Sequence, residues 1–269
     1  MKHFVATLFC ALLLNASAHA AESGIDAARQ RATLVAGLSY PLPAYVAGAK
    51  FRTPESPDST LVDALGKRLN VKLGIPKVDG GSAAQWLKSG RADVVLVLVD
   101  DNDALRRDGA DVALIPSGYS AGAMAIMRSD TDIKSWEQLK GRTVCLSEGG
   151  AYVGKIAAKY GAIEKVQRAP ADSLLSLRIG ACDAAVHDDT MLKDLLTLPE
   201  WKKFSARLPV QSRQTLVFAV RADDARSISY LKQVSADWAA GNFWSALKKK
   251  WVNNVAFEVY LDQNVPDCH

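Results

Sequence analysis

The sequence predicts an α/β protein on a mostly parallel sheet, and three stretches carry that expectation. From Arg142 to Ser147 the apolar run Val144, Cys145, Leu146 suits a buried strand. Gly149 and Gly150 break it, and Val153, Ile156, Ala157 and Tyr160 then recur at helical spacing until Gly161. A second strand–helix–strand step runs from Val71–Leu73 through a helix at Ser82–Ser89, stopped by Gly90, to a strand at Ala92–Val99. A third runs from Ile163–Val166 through Ala171–Arg178 to Cys182–His187. Repeated units with short connections set strands side by side with helices over them, and 269 residues suffice for one large domain or two lobes.

The chain opens with a secretory signal: Lys2 is the charged end, Phe4 to Leu14 the apolar run, and Ala18-His19-Ala20 the small-x-small cleavage site. Residues 1–20 are thus expected to be removed and the product exported as a soluble protein, because the apolar run is too short to span a bilayer. Loss of Lys2 lowers the formal charge of +4 by one, and no long basic run argues for nucleic acid. Cys145, Cys182 and Cys268 remain in an oxidising compartment, an odd count that leaves one over.

In order along the chain, Thr33 to Leu38 reads as a strand that the prolines of Ser39-Tyr40-Pro41-Leu42-Pro43 end. Leu61, Val62, Leu65 and Leu69 form a helical stripe. The strand Val94–Val99 runs into Asp100-Asp101-Asn102-Asp103, whose alternate carboxylates resemble the start of a calcium loop. The Gly and distant Glu that such a loop needs are missing, so no metal is expected. Gly118-Tyr119-Ser120-Ala121-Gly122 matches G-x-S-x-G, the elbow of serine hydrolases. Such an elbow needs a helix after it, whereas Ala123 to Met127 reads as well as a strand. Ser135 and Gln138 have capping-box spacing, with Gly141 as the stop. The helix expected after Gly149 and Gly150 would present unpaired N–H groups to an anion. The glycine spacing fits neither a dinucleotide fingerprint nor a phosphate loop, and no organic cofactor is expected. Leu231, Val234, Trp238 and Phe243, Leu247, Trp251 mark two closing helices, and Ala256–Leu261 is either a strand or a docked tail.

The run Trp136-x-x-Leu139-Lys140-Gly141-Arg142-x-Val144 with its Gly-Gly turn, and Ser173–Asp188 with its helix, Gly180 stop and Asp183-Ala184-x-x-x-Asp188, resemble the type II periplasmic solute-binding proteins. Within them they resemble family 3, the branch serving polar amino-acid ABC transporters. The resemblance covers about residues 32–260 and implies two lobes joined by two crossings. The first lobe would comprise 32–126 with 219–269 and the second 127–218, with crossings near Ile126–Asp130 and Thr215–Val220. It implies a monomer that closes on a small polar solute and delivers it to an inner-membrane permease. Tyr40 would lie over the ligand, Arg106 or Arg107 would fork onto its carboxylate, and Tyr119 would sit in the Pro-Tyr segment crossing between lobes. Gly149, Gly150, Ala151 and Tyr152 would form a second anion contact, and Asp188 would accept an ammonium, although Asp188 also suits a helix N-cap. Cys145 and Cys182 fall on neighbouring strands of that lobe about two residues out of register, so they are candidates for a disulfide, with Cys268 the competing partner.

Three departures weaken the usual grip on an α-amino acid: Gly37 before the aromatic, Leu98 with Asp100 where serines are usual, and Ala151 where a threonine is. Asp100 either suits a more cationic solute or faces solvent. Two other classes stay open. One is a dehydratase-like enzyme on the same lobes, with Glu148 or His187 moving the proton. The other is an accessory homologue without a transport role, as beside periplasmic quinoprotein dehydrogenases.

Overall fold

The computed structural model describes residues 23–43, 47–78, 82–100, 111–211 and 213–263. Arg106, Arg107, Asp101, Asp103, Cys268 and the expected signal peptide lie outside them.

Two five-stranded sheets form the two lobes. The first holds β1 (Thr33–Gly37), β2 (Lys72–Gly74), β3 (Val94–Val99), β4 (Val112–Ala121) and β10 (Gln214–Arg221), in the order β2-β1-β3-β10-β4. The second holds β5 (Ala123–Met127), β6 (Thr143–Ser147), β7 (Ile163–Gln167), β8 (Ala184–Asp188) and β9 (Ala206–Arg207), in the order β7-β6-β8-β5-β9. The architecture is the type II two-lobed periplasmic-binding-protein fold with two crossings. The sheets are mixed, not mostly parallel. β1 pairs in parallel with β2 and β3, and β6 with β7 and β8, whereas β10 and β5 run antiparallel to their neighbours. The strands next to the crossings enter each sheet from the other lobe and therefore run against the βαβ direction.

The crossings fall a few residues from the positions expected of them. β5 is already paired in the second sheet and all of β10 in the first, so the chain changes lobes at Gly122 and again between Arg207 and Gln214. Gly122 is glycine for want of room: a Cβ there would lie 2.3 Å from the Gln211 carbonyl oxygen of the returning chain. The buried Asp189 carboxylate fastens the two crossings together, accepting from the Gly122 N–H at 2.9 Å and from Arg213 at 2.6 Å, with Lys193 at 2.7 Å. Burial alone would raise its pKa, but Lys193, the Gly122 N–H and Arg213 outweigh it and hold the carboxyl below its usual range.

α1 (Gly24–Gln30), α2 (Asp58–Leu69), α3 (Ala83–Lys88) and α7 (Ala225–Ala240) cover the first sheet, while α4 (Lys155–Tyr160), α5 (Pro170–Arg178) and α6 (Asp189–Leu195) serve the second. The expected closing tail is helical: Ala256–Leu261 ends α8 (Phe243–Leu261), which packs across α5 and α6 rather than closing the first lobe alone. Its inner face of Trp251, Val252, Val255 and Val259 is buried, while Phe257, Tyr260 and Leu261 are exposed. Among the described residues no helix is long and apolar enough to cross a membrane. Cys145 in β6 and Cys182 are joined in a disulfide; Cys145 faces Ala185 across the ladder, which puts Cys182 three residues upstream of its register partner.

Candidate functional site

The site lies where the two lobes meet, at the carboxyl ends of β1, β6 and β8. Asp188 ends β8 and precedes α6, yet its side chain caps nothing. Both of its oxygens accept phenols, one from Tyr119 of β4 at 2.5 Å and the other from Tyr152 at 2.6 Å. The carboxylate is thus buried under a residue from each lobe. Its pKa is raised to about 6, first by burial and then by the nearby Glu55 charge, against the pull of the two phenols and His187. Both phenols are held above their ordinary value, chiefly by burial and next by Asp188, so they remain donors. Trp244 backs Tyr119, with ring centroids 5.9 Å apart.

Tyr40, just after β1, reaches across the cleft and donates its hydroxyl to Glu148 at 2.7 Å. Burial, then Glu148, pushes its phenol up to about 12. Its ring lies on Gly149, where a Cβ would come within 2.5 Å of the ring and where φ is +74°. Only glycine combines that backbone with that contact. We expect Gly149→Ala to cost about 1–2 kcal/mol from the left-handed backbone alone and to push Tyr40 away from its seat, weakening ligand affinity about tenfold. Urea unfolding and a binding titration of this variant check both.

The expected anion receptor at Gly149–Tyr152 is not a helix start. Residues 148–154 are a run of turns, and α4 begins only at Lys155 behind Gly154, whose φ of +78° caps it. The N–H groups at that end are already met by a carboxylate, since Glu164 accepts from Gly154 at 2.6 Å and from Ala157 at 2.8 Å. Gly150 donates back to the Ser147 carbonyl at 3.0 Å. Gly149 instead meets the Tyr40 ring and Tyr152 gives its hydroxyl to Asp188, while Ala151 packs against the second-lobe core. Asp100, half-buried after β3, is not among the residues lining the interlobe cavity. Ser120 lies inside β4, paired with Thr215, with its carbonyl taken by Thr190 and Arg213. The elbow geometry of a hydrolase is thus absent.

The residue that sequence reasoning missed is Glu55. It lies 4 % exposed on the irregular segment between β1 and α2 and is inserted between the lobes. Its Oε2 takes the Ser147 hydroxyl and meets His187 Nδ1 at 2.6 Å, while His187 Nε2 meets the Ser173 hydroxyl at 2.9 Å. The order Ser173–His187–Glu55 is that of a nucleophile, base and acid. Ser173 and His187 are nevertheless wholly buried, and Glu55 comes from the opposite lobe, so parting the lobes to admit a substrate would dismantle the line.

Beside this buried set is a cavity of about 180 Å³ walled by both lobes. Tyr40, Arg52, Glu55 and Asp58 come from one, and Glu148, Gly149, Arg168 and Ala169 from the other. It offers an aromatic face together with guanidinium and carboxylate groups. Arg52 is also paired with Asp172 at 2.8 Å.

Comparison with solved structures agrees with the two-lobed fold. A mutant of the arginine-binding protein of T. maritima superposes with a TM-score of 0.56 at 22 % identity, covering 86 % of this chain and 99 % of that one. A reconstructed ancestral cationic amino acid solute-binding protein gives 0.57 at 20 %, covering 86 % and 100 %. The substrate-binding protein of an amino acid ABC transporter gives 0.52 at 24 %, covering 81 % and 98 %. No protein-family model matches the chain, and no curated protein matches it in sequence.

Proposed function

We propose that this chain is an exported, monomeric solute-binding protein. On this reading it loses residues 1–20, closes in the periplasm on a small polar solute of the amino-acid class, and delivers it to an ABC permease of the inner membrane. The observation that carries this reading is the cavity walled by both lobes, because a solute there contacts both halves and stabilises their closure. The solved structures of like fold are binding proteins for amino acids, which supports the class of solute.

The geometry supports the following roles. Tyr40 supplies a flat face, pinned by its bond to Glu148. Arg168 lines the cavity as a cation, while Arg52 beside it is taken up by Asp172 and Asp262; the resemblance had implied Arg106 or Arg107 for a carboxylate, and both lie outside the described residues. Asp188 is the buried negative charge for an ammonium, which would take the place of a phenol. The folded pKa of Asp188 lies above the unfolded value, so its contribution to stability is full below about pH 4 and is lost as pH rises through about 6. Even with its two phenol bonds, the charge there costs on the order of 3 kcal/mol at neutral pH. A ligand cation recovers part of that. Affinity for a cationic solute should accordingly fall about tenfold per pH unit below pH 6, which calorimetric titration from pH 7 to 5 checks.

Hydrogen exchange tests the reading. With pooled amino acids, polyamines and small carboxylates, the amides of Thr53, Glu55, 148–152 and 168–169 should slow. Unchanged exchange there, or protection confined to other segments, counts against a solute in the cleft. Glu55 inside the cleft favours a second reading, an accessory homologue whose lobes close without solute. The dehydratase reading has less support, since Glu148 is engaged by Tyr40 and His187 lies beneath Glu55.

A further inference from the structure

We infer that Ser147 and His187 form a carboxylate-binding site in the second lobe, and that Glu55 of the first lobe is its built-in occupant, a tethered stand-in that a solute acid must displace. Ser147 ends β6 and His187 lies in β8, so both are fixed by the sheet, and Ser173 from α5 sets the imidazole through its other nitrogen. Both donors converge on one carboxylate oxygen of Glu55. Buried donors that converge in this way on a charged acceptor make a strong, directional site.

The occupant is held differently from the site. Glu55 belongs to no helix or strand but sits at a bend, in a segment whose Pro54 and Pro57 have no N–H to give to a ladder. The segment is fastened instead to α8. Thr53 donates its N–H and hydroxyl to Glu258 at 3.0 and 2.7 Å, Trp251 donates to the Pro54 carbonyl at 3.0 Å, and Arg52 pairs with Asp262. A second cavity, of about 270 Å³, adjoins the segment against α2, α6 and α8, and Phe51, Thr53, Pro54 and Ser56 line both cavities. The segment thus has space beside it into which the chain at Glu55 shifts when another carboxylate takes Ser147 and His187. The acid that fits is small, and because His187 precedes Asp188 in β8, an ammonium on the same molecule has the Asp188 carboxylate to meet.

This deepens the solute-binding reading, since it names the ligand's anionic group, but Glu55's hold on the site stands apart from it. The test is rescue of Glu55→Ala by acetate. The melting midpoint of the variant should fall below the parent's and rise saturably with sodium acetate but not with sodium chloride at equal ionic strength. The parent should respond to neither. Adding Ser147→Ala should weaken the acetate effect about tenfold, the loss of one hydrogen bond to a charged group. Equal responses to acetate and chloride, or rescue undiminished without Ser147, would overturn the inference. Should Glu55→Ala not fold, Glu55→Gln keeps the shape without the charge, and carbon-13 acetate should bind it about tenfold more tightly than the parent; equal binding is the contrary result. Acetate rescue with no solute found for the parent leaves the site and removes the transport reading. A solute in the cleft of the parent without rescue does the reverse.

Discussion

Replacing Cys145 and Cys182 together by alanine lowers the stability of the protein by about 4 kcal/mol. The bridge joins residues 37 apart, tying the middle of β6 to the chain that enters β8. Without it, the unfolded chain regains the loop freedom that the cross-link denied it, and the loop-entropy relation for this separation gives that figure. Both sulfurs are buried, at 0 % and 5 % residue exposure, so the substitution also leaves a small void beside the core of the second lobe. In a chain of this length the melting midpoint should fall by roughly 8–16 °C. Urea unfolding of the double variant checks it, and a loss under about 1 kcal/mol would show that the bridge does not constrain the unfolded state as argued.

Asp188→Ala removes the cleft's buried charge and lowers affinity for an ammonium solute by at least about 100-fold, the equivalent of about 3 kcal/mol. Stability should change far less. Losing two phenol bonds and leaving both hydroxyls without an acceptor costs a few kcal/mol, but the desolvated charge whose cost at neutral pH is of the same order disappears with them. Asp188→Asn should lose affinity to a similar degree while keeping one acceptor for a phenol, which separates charge from shape. A variant that binds like the parent would remove Asp188 from the site.

The positions of Tyr40 after β1 and Asp188 at the end of β8 were legible because strand ends follow from apolar runs and glycine stops, whereas the roles assigned to them came only from the resemblance; the pairing of Cys145 with Cys182 was legible as two cysteines near one another on strands of one lobe. Tyr119 was visible as part of a glycine-flanked motif, but its partner was not, since the bond to Asp188 joins residues 69 apart in different lobes. The turn after Gly149 was misread as a helix start because Val153, Ile156, Ala157 and Tyr160 fit helical spacing, whereas Gly154 in a left-handed conformation delays the helix to Lys155. Glu55 gave the weakest signal of all. A single acid between two prolines reads as a solvated loop, and only its fastening to α8, about 200 residues later in the chain, turns it into the cleft. The direction of β10 and β5 was likewise hidden, because a crossing strand has the same apolar pattern as any buried one.

The central claim is that a small polar solute binds between the lobes. A thermal-shift screen of the chain without residues 1–20, against single amino acids, polyamines, small carboxylates and aromatic acids, tests it most directly. A ligand at about 100 times its dissociation constant adds roughly 2.7 kcal/mol, which raises the midpoint by several degrees. The account predicts such a shift for a compound that carries both a carboxylate and an ammonium, present in the parent and lost in Asp188→Ala. No shift with any compound, in protein from which native mass spectrometry has excluded a retained ligand, would contradict it.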